Sequence, residues 1–243
     1  MTSSKKGEIS ISCLADNFKQ PIAFLVERLL KTPLPETPDD YPRASEVDVS
    51  VSLVLLLVIQ FESWVAHGRF FDYRPVASNK KREWKSALIW MKSLNDKKLE
   101  GIIVDLKDVY FLRDAIAHNH IWTYRKRVVQ GKARYSQFNL DTSWQSSPTR
   151  VGEIVAGCLP LTEVPRTKRL NLVVAPSFVG RKEVATVFQT VKGALATLHK
   201  LKYVKVQQRV RYVRFLGELS FSFWNLQDEI ERSFLYREYK NFE

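Results

Sequence analysis

Cysteine is scarce in this chain of 243 residues: Cys13 and Cys158 are the only two, and neither has a CxxC partner. That excludes a disulfide framework and a cysteine-based zinc site, and it fits a reducing compartment. Histidine is scarce as well, four in all and without zinc-ligand spacing, so no metal and no cofactor are expected. There is no GxxxxGK phosphate loop and no nucleophile elbow, which removes the sequence basis for an ATPase or a Ser/His/Asp hydrolase. Glycine and proline number 9 and 10, with no low-complexity tract and no internal repeat, which argues against a largely disordered chain. Long apolar runs are missing too. The longest, Leu53 to Ile59, lies between Asp48 and Glu62 and is too short to span a bilayer. Residues 1–10 carry two lysines but no apolar run, unlike a signal peptide. The expectation is a cytoplasmic protein with no membrane partner. The last shortage is acid: 26 Asp+Glu face 38 Lys+Arg, a net charge of +12. Such an excess favours a polyanionic partner, because phosphates reward clustered Lys and Arg.

A hydrophobic content of 45% suffices for one large domain. Periodicity predicts a mainly α fold: a helical bundle with a small β-hairpin insertion. Residues 1–15 read as a loose N-terminus, with a short strand at 8–13, and 16–243 as a single domain. Within it, 16–122 form the core, 123–180 a hairpin and irregular insertion, and 181–240 the C-terminal helices. Core helices are expected near 16–31, 45–67, 83–94 and 101–119. Gly68 is a candidate stop for the second, which is apolar nearly all round and is therefore expected at the centre. A hairpin is expected over 121–140 with its turn at Gln130-Gly131-Lys132, a strand at 169–175, a helix from 181 to about 203, and a final helix over 214–237.

One stretch stands apart. Leu112-Arg113-Asp114-Ala115-Ile116-Ala117-His118-Asn119-His120-Ile121-Trp122 holds half of the histidines beside an arginine and an aspartate. Titratable residues set into an apolar helical pattern need a reason. On one continuous helix, Arg113 and His120 are seven residues apart and share a face, whereas His118 points away. A helix-end salt-bridge cluster of Arg113, Asp114 and His118 is the plainer alternative. Upstream, Glu62 in Phe61-Glu62-Ser63-Trp64 is either a solvated helix-end charge or a second polar residue facing the same cleft. Downstream, Arg125, Lys126, Arg127, Lys132 and Arg134 lie on the expected hairpin with no acid among them. Tyr124 and Tyr135 interleave with them, a combination that suits a nucleic-acid backbone and its bases.

The string Arg113-Asp114-Ala115-Ile116-Ala117-His118 resembles the Arg-x4-6-His signature of HEPN domains. The resemblance is strong over about ten residues and loose elsewhere. It implies an all-helical bundle and a metal-independent endoribonuclease, and it selects His118 over His120. The catalytic group would then be Arg113 and His118, with Asp114, Asn119, His120 and Glu62 around them. Arg125, Lys126, Arg127, Lys132 and Arg134 would bind the RNA. HEPN enzymes commonly join two Arg/His sets in one cleft, and this chain has one set, so a homodimer is implied. A toxin or antiviral role, with a neutralising or regulatory partner, is implied by the family alone. A non-catalytic HEPN-like module that binds RNA or nucleotide, or serves dimerisation, is the alternative.

Overall fold

The structure, a computed structural model, describes residues 14–33, 41–72, 86–118, 122–141, 158 and 163–204. The short strand expected at 8–13 and the final helix expected over 214–237 lie outside these residues. The described residues are mainly helical, with one two-stranded antiparallel sheet. A 3-10 turn, Leu14–Phe18, leads into α1, Lys19–Lys31. Then come α2, Ala44–Asp72, α3, Ser86–Ser93, and α4, Lys97–Ala117. The strands β1, Trp122–Val129, and β2, Lys132–Leu140, follow. A second 3-10 turn, Pro176–Phe178, precedes α5, Arg181–Lys200.

The central position of α2 follows from its composition. Leu53, Val54, Leu57, Val58, Phe61, Trp64 and Val65 are all buried, and the helix packs against α1, α3, α4 and α5. It is the one helix among the described residues long and apolar enough to cross a membrane, and here its core face is covered by other helices. The surrounding helices each supply a stripe. Ile22, Val26 and Leu29 do so on α1, and Val184, Val187, Phe188, Val191, Leu195 and Leu198 on α5. These spacings of three and four are what a single buried face requires.

Several boundaries differ from the sequence reading. The N-terminal region is not loose as far as residue 15, because Ala15 is fully buried and its carbonyl accepts a hydrogen bond from Gln60 Nε2 at 3.2 Å. Helix α2 does not stop at Gly68 but continues to Asp72. Gly68 serves close packing instead: a Cβ there would lie 2.7 Å from the Tyr203 carbonyl oxygen and from Val204 Cγ2. Helix α4 begins earlier than expected. Asn95, at φ 52°, ends the preceding turn, and the Asp96 carboxylate caps α4 by accepting from the Lys98 N–H at 2.9 Å. The strand expected over 169–175 is absent. Thr167 and Leu172 close a tight turn, with only an isolated bridge between Arg166 and Val173. That turn is fastened to α4, where the buried Asp108 carboxylate accepts the Arg169 and Leu170 N–H groups at 3.0 and 2.8 Å. Helix α5 ends at Lys200 rather than near 203.

The hairpin turn holds Gln130 and Gly131 at φ 52° and 76°, the two positive values that a two-residue type I′ connection demands. The pairing register then shifts once. Trp122 faces Leu140 and Thr123 faces Asn139, but Arg125 faces Ser136. The extra residue is in β2, where Gln137 has φ 55°, so this is a β-bulge.

A buried ion pair joins three helix ends. Glu46, at the start of α2, accepts the Arg181 backbone N–H at 3.0 Å and lies 3.1 Å from Arg181 Nε. Arg181 Nη2 also donates to Thr32 Oγ1 at 2.9 Å, just beyond α1. Both charged residues are under a tenth exposed. Removing one member leaves the other buried and uncompensated. Glu46→Ala is therefore expected to destabilise the protein by about 3–5 kcal/mol in urea denaturation, and Glu46→Leu with Arg181→Met by much less. Equal losses in the single and double variants would show that the pair does not hold these ends together.

Candidate functional site

Helix α4 sets a polar group into an otherwise apolar interface with α2. Leu106, Val109, Leu112 and Ala115 are buried along it, and so is Asp114, at 2% exposure. A carboxylate in that position needs a cation, and the preceding residue supplies it. Arg113 Nη1 donates to Asp114 Oδ1 at 3.0 Å, and Nη2 donates to Glu62 Oε1 on α2 at 2.8 Å. The two ends of the guanidinium fork thus hold one carboxylate from each helix. Tyr110, one turn before Arg113, places its ring 5.6 Å from the guanidinium carbon. Its hydroxyl is buried beside the Glu62 carboxylate and helps to hold it ionised.

The electrostatics follow from burial. Desolvation pushes the Glu62 carboxyl above the ordinary carboxylate range, and the negative charge of Asp114 adds to this. The charge and hydrogen bond of Arg113 oppose it without cancelling it. Tyr110 is pushed far above the usual phenol range, by burial first and then by the Glu62 charge, so it stays a neutral donor. With both acids ionised, the cluster of Glu62, Arg113 and Asp114 carries one net negative charge.

The helix ends directly after this cluster. Ala117 is the last residue of α4, and His118 is its C-cap at φ −97°, ψ 8°. Its N–H bonds back to the Asp114 carbonyl at 3.0 Å, and its side chain is exposed. A continuous helix through 120, the premise that paired Arg113 with His120, therefore fails at Ala117. Asn119 and His120 themselves lie outside the described residues. Glu62 is not a helix-end charge, because α2 runs ten residues beyond it and its carboxylate is ion-paired. Of the six residues singled out at the motif, the structure joins Glu62, Arg113 and Asp114, and sets His118 at the adjoining helix end.

Tyr110 was missed by the sequence reading. Its signal was its position three residues before Arg113, on the same face. The hairpin starts four residues after His118. Arg125, Lys126, Arg127, Lys132 and Arg134 are all exposed on it.

Compared with known proteins, the chain matches no family model, no curated protein and no solved structure.

The raised pKa of Glu62 fixes the sign of a pH effect. A group whose folded pKa lies above its unfolded value contributes stability that is complete below the unfolded value, near 4.5. That contribution is lost as pH rises through the folded value. Glu62→Gln removes the loss. The stability of the variant relative to the native chain is therefore expected to rise as pH climbs from about 4.5 toward neutrality, read as urea midpoints at each pH. A relative stability that falls over that window would mean that the Arg113 pairing outweighs burial.

Proposed function

We propose that this chain is a HEPN-type, metal-independent endoribonuclease acting on single-stranded RNA. The observation that carries the proposal is the end of α4. His118 stands exposed immediately past the last helical residue, and Arg113, within the preceding two turns, is held by Glu62 and Asp114. In the proposed reaction the ribose 2′-oxygen attacks the adjacent phosphorus. The O2′–P bond forms and the P–O5′ bond breaks, leaving a 2′,3′-cyclic phosphate and a 5′-hydroxyl. One proton leaves the 2′-OH and one reaches O5′. An exposed imidazole can make either transfer. To meet the phosphate oxygens, Arg113 exchanges one of its carboxylate partners, Glu62 or Asp114, for the phosphate; until then the two acids and Tyr110 position it. One histidine serves two proton transfers poorly, so the site is composite, formed by two copies in a symmetric homodimer. Asn119 and His120, next in the chain, complete the proposed group.

A second reading, a non-catalytic RNA-binding or dimerisation module, is favoured by one observation. The Arg113 side chain is 14% exposed, and both ends of its fork are engaged by carboxylates. Such an arginine can also be purely structural. Removing it strands the buried Asp114, so Arg113→Ala confounds stability with activity. His118, being exposed, is the cleaner probe.

The expected outcome is cleavage of a labelled single-stranded RNA in the presence of EDTA, with cyclic-phosphate and 5′-hydroxyl ends and no cleavage of the all-deoxy strand. His118→Ala is expected to lower the rate by about 10²–10⁴-fold with an unchanged melting temperature. RNA bound but uncut by the native chain would favour the second reading. Loss of activity in EDTA would refute the mechanism, and a strictly monomeric enzyme by light scattering would refute the composite site.

A further inference from the structure

The hairpin separates its side chains into two chemically opposite faces, and the register sets which residue goes where. Alternate residues of β1 point to opposite sides, and partners across the pair share a side. One side carries Trp122, Tyr124, Phe138 and Tyr135. Its rings close on Phe178, with centroids 5.2, 5.5 and 4.9 Å away for Tyr124, Phe138 and Tyr135. Tyr41 meets both Tyr135, at 4.7 Å, and Phe178, at 5.2 Å. This side is the inner one, where Trp122 and Phe138 are buried. The opposite side carries Arg125 and Arg127 from β1, and Lys132 and Arg134 from β2. All four are exposed.

The bulge at Gln137 keeps this separation. Without the extra residue, the half of β2 nearer the turn would be out by one position, and its cations and aromatics would exchange sides. Arg127 and Arg134 are direct cross-strand partners, and such an opposition of like charges is destabilising. No acid occurs between 122 and 140 to offset it. Among the described residues, no carboxylate forms an ion pair with Arg125, Arg127 or Arg134. Lys126 is the exception to the outward array: it belongs to the aromatic side, with Nζ 6.0 Å from the Tyr135 ring centroid.

We infer that the outward face of Arg125, Arg127, Lys132 and Arg134 is a docking surface for the phosphate backbone of a single-stranded nucleic acid, and that it binds without base preference. The cations supply a compact positive field. Arg125 and Arg127 lie about 7 Å apart along β1, and Arg127 and Arg134 face each other across about 5 Å. Base reading would need stacking surfaces or a groove-entering element on the same side, and the aromatic rings are turned to the other side, against Phe178. Tyr124 and Tyr135, expected beside bases, pack against Phe178, with Tyr124 still 40% exposed. The inference rests on the ribonuclease reading for the identity of the polyanion. It concerns binding alone, however, so it can fail or hold independently of cleavage.

The test uses the full chain and labelled oligonucleotides that lack the 2′-OH and so cannot be cut, dT20 and dA20, in fluorescence anisotropy over a salt series. Both strands are expected to bind within about threefold of each other. The slope of log K against log salt should be near −3, from about −0.7 per phosphate over four contacts. Arg127→Gln with Arg134→Gln should weaken binding about tenfold or more and flatten the slope by about 1.4, while Lys98→Gln, at an exposed lysine in the first turn of α4, changes affinity by less than about twofold. The substituted positions are exposed, and an unchanged melting temperature checks that the variants fold. The inference is overturned if the double variant keeps the native affinity and slope, or if dT20 and dA20 differ by tenfold. It is also overturned if the native chain ignores both strands at low salt but binds phosphatidylserine vesicles. Val128 and Val129, exposed at the tip, would then be membrane contacts.

Discussion

Arg113 is the one side chain that both long helices at the candidate site depend on. Its guanidinium joins Glu62 of α2 to Asp114 of α4 across an interface that is otherwise apolar. A carboxylate buried there needs a cation beside it, and the cation needs the acids. The three are therefore present together or not at all. The consequence reaches beyond the contact. It fixes the rotation of the last turns of α4, and so the point at which the chain leaves the helix at His118.

The hairpin extends the same economy of placement. Its inner rings settle on Phe178 and Tyr41, which anchors it to the segment before α5. That segment is itself held to α4 by Asp108. Its outer cations are thereby held at a set distance from the end of α4 instead of swinging with a loop. In the proposed function the two parts divide the work: the hairpin grips a backbone, and the end of α4 does the chemistry. Charge repulsion between Arg127 and Arg134 is tolerated because the aromatic face stabilises the hairpin independently of it.

Much of the helical framework could be read from residues alone, since apolar spacing of three and four marks a buried face wherever it occurs. Leu53 to Ile59 placed α2 at the centre, and the Gln130-Gly131 turn placed the hairpin. What could not be read depended on contacts distant in sequence. Gly68 resembles a helix stop until Tyr203 and Val204 are seen to press on it. The stretch 169–175 has strand-like residues, but Asp108 captures its N–H groups into a turn. Glu62 and Arg113 are 51 residues apart, and no local rule joins them. The bulge at Gln137 was equally hidden, so the aromatic and basic residues of the hairpin read as mixed when all but Lys126 are sorted to opposite faces.

The placement of the site depends on whether the Arg113–Glu62 contact couples α4 to α2. A double-mutant cycle measures this directly: Arg113→Met, Glu62→Leu and the pair together, each unfolded in urea at neutral pH. Residues without contact give additive losses within about 0.3–0.5 kcal/mol, whereas members of one ion-pair network depart from additivity by about 0.5–3 kcal/mol. The expected result is a favourable coupling above about 1 kcal/mol. Additive losses would mean that the clamp does not exist in solution, and that nothing fixes the end of α4 where the site is built.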